Sequence, residues 1–367
     1  MAAALREQFG NPSSVHHFGQ VAKAALDDAR SSAAALIGAD PSEIVFTSSG
    51  TESDNFAIRG VAEALEVTGK RHLIATAIEH EAVLNTLKAL ARRGWKTTLL
   101  PVDQTGIVAL SALEAALTDD TALVSVMHAN NEIGTIQPVA QLARIAKARG
   151  ALFHTDAVQT AGKIPVDVKA LGVDVLSLSA HKFYGPKGAG ALWIRRGVRL
   201  QPPMTGGKQE RSRRAGTENV AGIIGLGVAA QLARAKMTAE AERLASLRDS
   251  LEERILATVS GTAVNGARSP RVPNTTNVSF DRIEAESLLI ALDLAGIAVS
   301  TGSACSSGTL EPSHVLKAMG FPAHRTQNSI RFSLGAANTE ADIDKVLEVL
   351  PGIVEKLRNL TRAVARA

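Results

Sequence analysis

A lysine in an unusual setting is the first residue that could carry out chemistry. Lys182 closely follows the apolar run 174–179 and is flanked by Ser179 and His181. Two interpretations are open: a surface charge, or an amine of depressed pKa that forms an imine with a carbonyl group. The end of a buried strand is a poor place to solvate a charge, so the two interpretations have equal weight for Lys182.

Two further clusters contain residues suited to binding charged groups. Ser49, Gly50 and Glu52 follow an apolar run and precede a helical stretch. They either cap that helix or let a phosphate approach its backbone N–H groups. Asp156 ends another apolar run, where it either caps the next turn or faces a protonated heteroaromatic nitrogen. An unpaired carboxylate at the opening of a buried sheet is costly, so Asp156 needs such a partner.

The single cysteine, Cys305, lies in the stretch 299–309, which is rich in glycine and serine. This composition predicts a mobile loop, in which the thiol is either a small buried hydrophobe or a reactive thiolate. The loop setting favours the thiolate. One thiol cannot form an internal disulfide, a Cys-based zinc site or a redox pair, so a disulfide-stapled secreted scaffold is excluded.

Length and composition restrict the class of protein. The 367 residues are 45% hydrophobic and carry a net charge of only +4, which does not favour nucleic acid. The length exceeds the ~250–300 residues at which one core stops growing, so we predict two domains, 1–237 and 238–367. The first residues do not form a signal peptide, and no run approaches the ~18 apolar residues of a membrane span. We expect a cytoplasmic enzyme that binds neither nucleic acid nor a membrane.

The elements that must position these clusters follow from the hydrophobic pattern. Short apolar runs alternate with amphipathic helical stretches from Pro41 to Trp193. This alternation predicts an α/β fold with a mostly parallel sheet between helices, and ligands bind at the carboxyl ends of its strands. A helix over 220–234, a charged helix over 238–256 and a final helix over 339–360 follow, which puts the domain boundary near 235–240.

Together, these clusters resemble the class V aminotransferases, a group of pyridoxal phosphate enzymes. The lysine signature is Ser179-Ala-His181-Lys182. The surrounding stretches resemble the cysteine desulfurases of the iron–sulfur-cluster and nitrogen-fixation type. They extend over most of the chain, and they are 9–14, 47–55, 79–83, 128–134, 154–159, 206–211, 214–217 and 302–313.

The resemblance implies a fold and an assembly. The fold would be the PLP-dependent transferase fold type I, with a mostly parallel seven-stranded sheet between helices in the large domain. A smaller α+β C-terminal domain would carry Cys305. The chain would form a homodimer, in which Thr217 reaches the cofactor phosphate of the neighbouring subunit.

The resemblance also implies a role for each site residue. Lys182 would hold the cofactor as a Schiff base and move protons, Asp156 would pair with the pyridinium nitrogen, and Gln159 would bond the phenolic oxygen. His80 would stack on the ring and act as an acid or base. The phosphate contacts would be Gly50, Thr51, Ser179 and His181. Asn131 would reach the phenolic oxygen or the substrate carboxylate, and Arg331, by sequence alone a surface charge, would bind that carboxylate.

The implied reaction removes sulfur from L-cysteine and leaves L-alanine and a persulfide on Cys305. An acceptor protein such as an iron–sulfur scaffold would take that sulfur, and Cys305 would also be a transient iron–sulfur ligand shared with the scaffold. The alternatives are a selenocysteine lyase or another class V enzyme, and a non-catalytic sulfur-pathway scaffold. Family members usually have a further segment before the stretch that begins at Phe9, and its absence here leaves three interpretations open: a misplaced start codon, a fragment, or a less active enzyme.

Overall fold

The computed structural model describes residues 1–302 and 312–364, which form two compact units. The first unit comprises Met1–Leu100, Ala109–His128 and Gln137–Met237. The second comprises Pro101–Val108, Ala129–Ile136 and the described chain from Thr238 onward. The division expected from the sequence, at 237/238, differs from this one in the two short segments. The two segments belong to the second unit because of tertiary contacts such as the β-bridge between Thr135 and Arg271. The order of elements along the chain does not reveal such contacts.

The strands are β1 Ile44–Thr47, β2 His72–Thr76, β3 Lys96–Leu100, β4 Thr121–Ser125, β5 Leu152–Asp156, β6 Val175–Ser179, β7 Gly190–Ile194, β8 Thr262–Val264, β9 Thr275–Phe280 and β10 Ser329–Ser333. The helices are α1 Ala2–Glu7, α2 His17–Leu36, α3 Gly50–Glu66, α4 Glu81–Ala91, α5 Leu110–Ala116, α6 Val139–Ala148, α7 Val168–Leu171, α8 Gln209–Ser212, α9 Val220–Thr258, α10 Ala285–Leu294, α11 His314–Ala318, α12 Ala323–Gln327 and α13 Glu340–Val364. Short 3₁₀ helices cover Pro41–Glu43 and Ala180–Phe183.

The first unit is built on a seven-stranded sheet in the order β1-β7-β6-β5-β4-β2-β3. Strand β7 runs antiparallel to both of its neighbours, and the other neighbouring pairs are parallel. The predicted mostly parallel α/β sheet is therefore confirmed. Because β1 and β6 both run opposite to β7, the carboxyl ends of β1, β2, β4, β5 and β6 lie at one edge of the sheet. The three candidate clusters of the first unit, at Gly50, Asp156 and Lys182, each follow one of those ends.

The central strands of the sheet are buried on both faces, even where leucine and serine alternate along β6. All residues of β4 and β6 are buried, which is the pattern of strands covered on both faces. Helix α3 packs Phe56 and Val61 into a core that also contains Leu73 and Leu123. Burial of each such side chain stabilises the fold by about 1.5–3 kcal/mol.

Helix α9 corrects one expectation. Two helices were predicted on either side of residue 237, but α9 is continuous over Val220–Thr258. Its middle is rich in alanine, leucine and arginine, strong helix formers, and contains no proline or glycine to end the helix. Among the described residues, α9 is also the one helix whose length and apolar content suit a membrane span, a test that a core helix passes equally well.

The second unit is an α+β arrangement. Its three strands form an antiparallel sheet in the order β10-β9-β8. Leu251 and Ile255 of α9, Leu288 of α10 and Leu350 of α13 form a core with Val278 of β9. Apolar residues at helical spacing on these helices thus cover one face of the small sheet.

A buried ion pair holds the segment after β7 against the outer edge of β1. The two terminal guanidinium nitrogens of Arg30, Nη1 and Nη2, donate to the carboxylate of Glu210 at 2.8 and 2.7 Å. The same carboxylate accepts from the backbone N–H of Phe46 at 2.9 Å, and Arg30 also donates to the carbonyl of Ile44. Glu210 has a φ of +47°, a strained backbone for a residue other than glycine, so this side-chain pairing holds the turn in place.

Replacing Arg30 by methionine is expected to lower the free energy of unfolding by about 3–5 kcal/mol, because it leaves the carboxylate of Glu210 buried without its cation. The double variant Arg30→Met/Glu210→Leu should recover some of this loss. The check is urea unfolding, with Arg254→Met as the control at an exposed ion pair to Asp344, where a loss of at most about 1 kcal/mol is expected. Equal losses at the two positions would contradict the prediction.

Candidate active site

The N-terminus of α3 forms a cradle at the carboxyl end of β1. A Cβ atom on Gly50 would lie 2.8 Å from Val158 Cγ2 and 3.4 Å from Ser179 Cβ, so the position accepts only a hydrogen atom without displacing its neighbours. Gly50 is the first residue of a 17-residue helix, and its missing side chain leaves room for a ligand beside the backbone of the first turn. Thr51, the next residue, is exposed. Free N–H groups at the positive end of a helix attract a phosphate.

The capping of α3 differs in one detail from the capping box expected from the sequence. Ser49 Oγ accepts from the backbone N–H of Glu52 at 3.2 Å, as predicted. The carboxylate of Glu52, however, accepts from the N–H of Ser48 rather than Ser49, and it also binds Arg214 at 2.8 Å. Glu52 thus ties the segment after α8 to the start of α3. Thr217, three residues beyond Arg214, is exposed.

The candidate imine-forming lysine lies on the 3₁₀ helix Ala180–Phe183, directly after β6. Lys182 is half-buried, and Ser179 immediately before this turn is buried. Ser179 Oγ and His181 Nδ1 are 2.8 Å apart, which connects two of the predicted phosphate contacts by a hydrogen bond. Burial, followed by the charges of Lys182, Lys187 and Lys163, lowers the pKa of His181. This concentration of cationic groups beside the α3 cradle suits an anion.

Asp156 is the last residue of β5 and is buried. Burial raises its pKa, while a hydrogen bond from the N–H of Val158 and the charges of His80 and Lys182 lower it. The Val158 N–H donates to Asp156 Oδ1 at 2.8 Å. The structure therefore brings both His80 and Lys182 within electrostatic reach of Asp156. A further cation against Asp156, such as a pyridinium nitrogen, would stabilise its charged form.

His80 caps the N-terminus of α4. Its Nδ1 accepts a hydrogen bond from the backbone N–H of Ala82 at 3.1 Å. A ring nitrogen that accepts carries no proton, so the proton of the neutral ring lies on Nε2. In this state Nε2–H can only donate a hydrogen bond, and a further proton would bind at Nδ1 in place of the Ala82 N–H.

Four buried polar side chains lie behind Asp156, and sequence analysis assigned none of them a role. His154 Nδ1 is 2.8 Å from Ser125 Oγ, and His154 Nε2 is 2.9 Å from Ser177 Oγ and 3.6 Å from Asp54 Oδ1. Burial lowers the pKa of His154 to about 3, whereas burial and the charge of Asp156 raise the pKa of Asp54 well above its ordinary value. Burial thus keeps His154 neutral at pH 7 and favours the protonated form of Asp54. Asp54 and His154 lie inside the stretches 47–55 and 154–159, which is the one signal that the sequence gives for this group.

The substrate-binding residues suggested by the sequence lie together in the second unit. Arg331, in the middle of β10, donates from Nη1 to the backbone carbonyl of Asn131 at 3.0 Å. Its buried Nε has no hydrogen-bond partner among the described residues. Arg331 is thus not the surface charge that its strand-end position allowed. A guanidinium with an unused buried donor is suited to a carboxylate.

Cys305, the predicted nucleophile and transient cluster ligand, lies outside the described residues. Glu132 contacts residues on both sides of the segment that contains Cys305. The hydroxyl of Ser313 donates to Glu132 Oε2 at 2.5 Å, and a Cβ on Gly302 would lie 2.7 Å from the same oxygen. Across residues 1–302 and 312–364, no group of three or more metal-binding side chains comes together.

Glu79, next to His80, is a second buried carboxylate that sequence analysis left without a role. Its two oxygens accept from the backbone N–H of Met127 at 2.9 and 3.1 Å, and Oε1 accepts from the hydroxyl of Thr76 at 2.5 Å. These bonds connect the carboxyl ends of β2 and β4. Burial raises the pKa of Glu79 to about 8, although the hydrogen bonds from Thr76 and Met127 act to lower it.

Glu79 should make the protein less stable as the pH rises. Its pKa is higher in the folded chain than in the unfolded one, so its stabilising contribution is complete below pH 4.5 and is lost as the pH rises to about 8. The free energy of unfolding should fall by up to roughly 1.4 kcal/mol per pH unit in that window. In Glu79→Gln this component of the slope should disappear, as measured by urea unfolding across the window. Exposed Glu81→Gln is the control, and parallel slopes for Glu79→Gln and the unmodified chain would contradict the prediction.

Comparison with known proteins agrees with this geometry. The family model described as aminotransferase class-V matches residues 1–346. The chain is 54% identical over 357 residues to the cysteine desulfurase IscS of Dictyoglomus turgidum, covering 97% of this chain and 90% of that one. It is 53% identical to the cysteine desulfurase IscS of Methanosarcina thermophila, covering 97% and 88%. A solved structure titled NifS-like protein superposes with a TM-score of 0.91 at 42% identity, covering 97% and 94%. The chain therefore belongs to the class V aminotransferase family and, within it, to the cysteine desulfurases.

Proposed function

We propose that this chain moves the sulfur atom of L-cysteine onto Cys305, releases L-alanine and passes the sulfur to an acceptor protein such as an iron–sulfur scaffold. One observation carries the proposal. A single sheet edge gathers an amine, Lys182, a buried carboxylate, Asp156, an imidazole, His80, and a helix N-terminus with its glycine, Gly50. Family membership makes the chain a pyridoxal-phosphate-dependent enzyme, and these groups complement the chemical groups of that cofactor.

The residues present fit pyridoxal phosphate. The backbone at Gly50, together with Thr51, Ser179 and His181, would hold its phosphate, because the cradle is narrow and surrounded by cationic groups. The amine of Lys182 would bind its aldehyde carbon, and His80 would cover one ring face. Asp156 would pair with the ring nitrogen, and Gln159 would donate to the phenolic oxygen. When bound, the cofactor supplies an electron sink that weakens the bond between the β-carbon and the sulfur of the substrate.

Each protein group then has a defined task. Arg331, with its unused Nε–H, would bind the carboxylate of L-cysteine, and Asn131 beside it would complete that contact. Lys182 would take the proton from the substrate α-carbon and return a proton at a later step. His80 would accept the thiol proton at Nδ1, giving up the hydrogen bond from the Ala82 N–H, because Nε2 of the neutral ring already carries a proton.

The sulfur transfer balances without an external oxidant. The thiolate of Cys305 attacks the substrate sulfur, so that a sulfur–sulfur bond forms and the carbon–sulfur bond breaks. The electron pair of the broken bond passes to the substrate carbon, which ends as the methyl group of alanine after protonation. L-Cysteine and one thiol thus give L-alanine and one persulfide.

A serine at position 305 should separate cofactor chemistry from sulfur transfer. Cys305→Ser is expected to bind pyridoxal phosphate, to stay yellow and to change its visible spectrum when L-cysteine is added. It should release no alanine or sulfide above about one per cent of the unmodified rate, because the hydroxyl is a poor nucleophile toward sulfur. Lys182→Ala is the matched control and should lose both the colour and the product. Alanine release at the normal rate from Cys305→Ser would refute the nucleophile assignment.

We further propose a homodimer whose cofactor sites are completed by Thr217 of the neighbouring subunit. The exposure of Thr217 and the Arg214–Glu52 bond, which ties its segment to the start of α3, support this. A mixture of Lys182→Ala and Thr217→Val should therefore regain cofactor sites of normal affinity, because one site of each mixed dimer has both native residues. The measurement is a pyridoxal phosphate titration of the mixed and separate variants. If the pyridoxal phosphate titration of the mixture equals the average of the titrations of the two separate variants, the shared site is excluded.

A further inference from the structure

A lysine holds the side chain of Gln159 in one orientation. Lys163 Nζ donates to Gln159 Oε1 at 3.0 Å, and both side chains are half-buried. The chain makes successive tight turns after β5, with backbone bonds from Ala161 to Ala157 and from Lys163 to Thr160. These turns place residues four apart on the same side, as in a helix. The contact is therefore built into the local backbone.

The contact determines which end of the Gln159 amide is the oxygen. An ammonium group has three donors and no acceptor, so the atom that it contacts must be a carbonyl oxygen. The NH₂ group consequently forms the other end of the amide. Without Lys163, the two amide orientations would differ only in their weaker contacts.

We infer that Lys163 is a positioning residue, which fixes Gln159 so that its NH₂ group, and not its oxygen, meets the phenolic oxygen of the cofactor. This inference rests on the proposed function, in which Gln159 contacts that oxygen. A phenolic oxygen that carries negative charge accepts hydrogen bonds, and an amide oxygen placed against it would repel it. The orientation set by Lys163 therefore decides whether Gln159 stabilises or destabilises the negative charge on the phenolic oxygen.

Charged and titratable side chains surround Gln159 and Lys163. They are Asp156 at the end of β5, His80 after β2, and His181, Lys182 and Lys187 after β6. Lys163 belongs to this cationic group, since its charge contributes to lowering the pKa of His181. A substitution at Lys163 thus removes both a hydrogen bond and a charge. A test must separate the two effects.

The test measures the pH midpoint at which the visible band of the lysine-bound cofactor titrates in protein reconstituted with pyridoxal phosphate. A donor to the phenolic oxygen withdraws negative charge from beside the linking nitrogen and lowers this midpoint. Lys163→Met, which keeps the length of the side chain but removes the donor, should raise the midpoint by roughly one pH unit. Lys163→Arg keeps a cationic donor and should restore most of the original value.

Two further variants separate orientation from charge. In a Gln159→Met background, Lys163→Met should shift the midpoint by much less than it does alone, because its target amide is gone. Lys187→Met removes an exposed neighbouring cation and reports the size of a pure charge effect, which should be the smaller shift. An undiminished Lys163→Met shift in the Gln159→Met background would overturn the inference, as would a Lys187→Met shift of equal size.

The same experiment distinguishes this inference from the proposed function. If the unmodified chain forms no visible band with pyridoxal phosphate, the proposed function fails and this inference fails with it. If the band forms and Lys163→Met titrates as the unmodified chain does, the inference alone fails. Thermal unfolding of each variant identifies any loss of fold, and Lys163→Arg gives a second reading should Lys163→Met prove unstable.

Discussion

Asp156 is buried at the end of β5, where removal from water favours the protonated carboxyl, while the hydrogen bond from the Val158 N–H and the charges of His80 and Lys182 favour the ionised one. The fold of the first unit places the groups that favour the ionised form close to Asp156. The parallel strands bring Lys182 and His80 to the same edge, and the turn after β5 supplies the Val158 N–H. If the carboxylate became neutral, it would no longer stabilise a protonated ring nitrogen placed against it. The cofactor ring would then be a weaker electron sink.

The buried groups behind Asp156 disfavour a second negative charge beside it. Burial and the charge of Asp156 raise the pKa of Asp54, which favours its protonated form, and burial keeps His154 neutral. The two serines on either side of His154 satisfy both ring nitrogens. A neutral, hydrogen-bonded layer of this kind orients β5 without adding charge that would compete with the cofactor nitrogen. Glu79 has a comparable role in the neighbouring region of the sheet, where it joins the ends of β2 and β4.

Local signals were sufficient for much of this site. The Ser-x-x-Glu spacing at Ser49 predicted the cap of α3, and the strand–helix alternation predicted the sheet edge at which Lys182 and Asp156 meet. The reversed direction of β7 could not be predicted, because a fully buried strand has the same apolar pattern in either direction. The partner of Glu79 is the backbone N–H of Met127, which almost any residue type would supply, so no sequence pattern announces it. The assignment of Asn131 to the second unit likewise depends on tertiary contacts, not on local propensity.

The Arg30–Glu210 pair has a consequence beyond its contribution to stability. Strand β1 is an outermost strand of the seven-stranded sheet, and its outward-facing N–H at Phe46 and carbonyl at Ile44 are already bonded by side chains. An incoming strand from another molecule finds no free ladder there. While the ion pair is intact, these two groups of β1 cannot pair with another strand. Loss of Arg30 would remove a bond from the Ile44 carbonyl, and loss of Glu210 would remove the partner of the Phe46 N–H, which would open this edge to pairing with another strand.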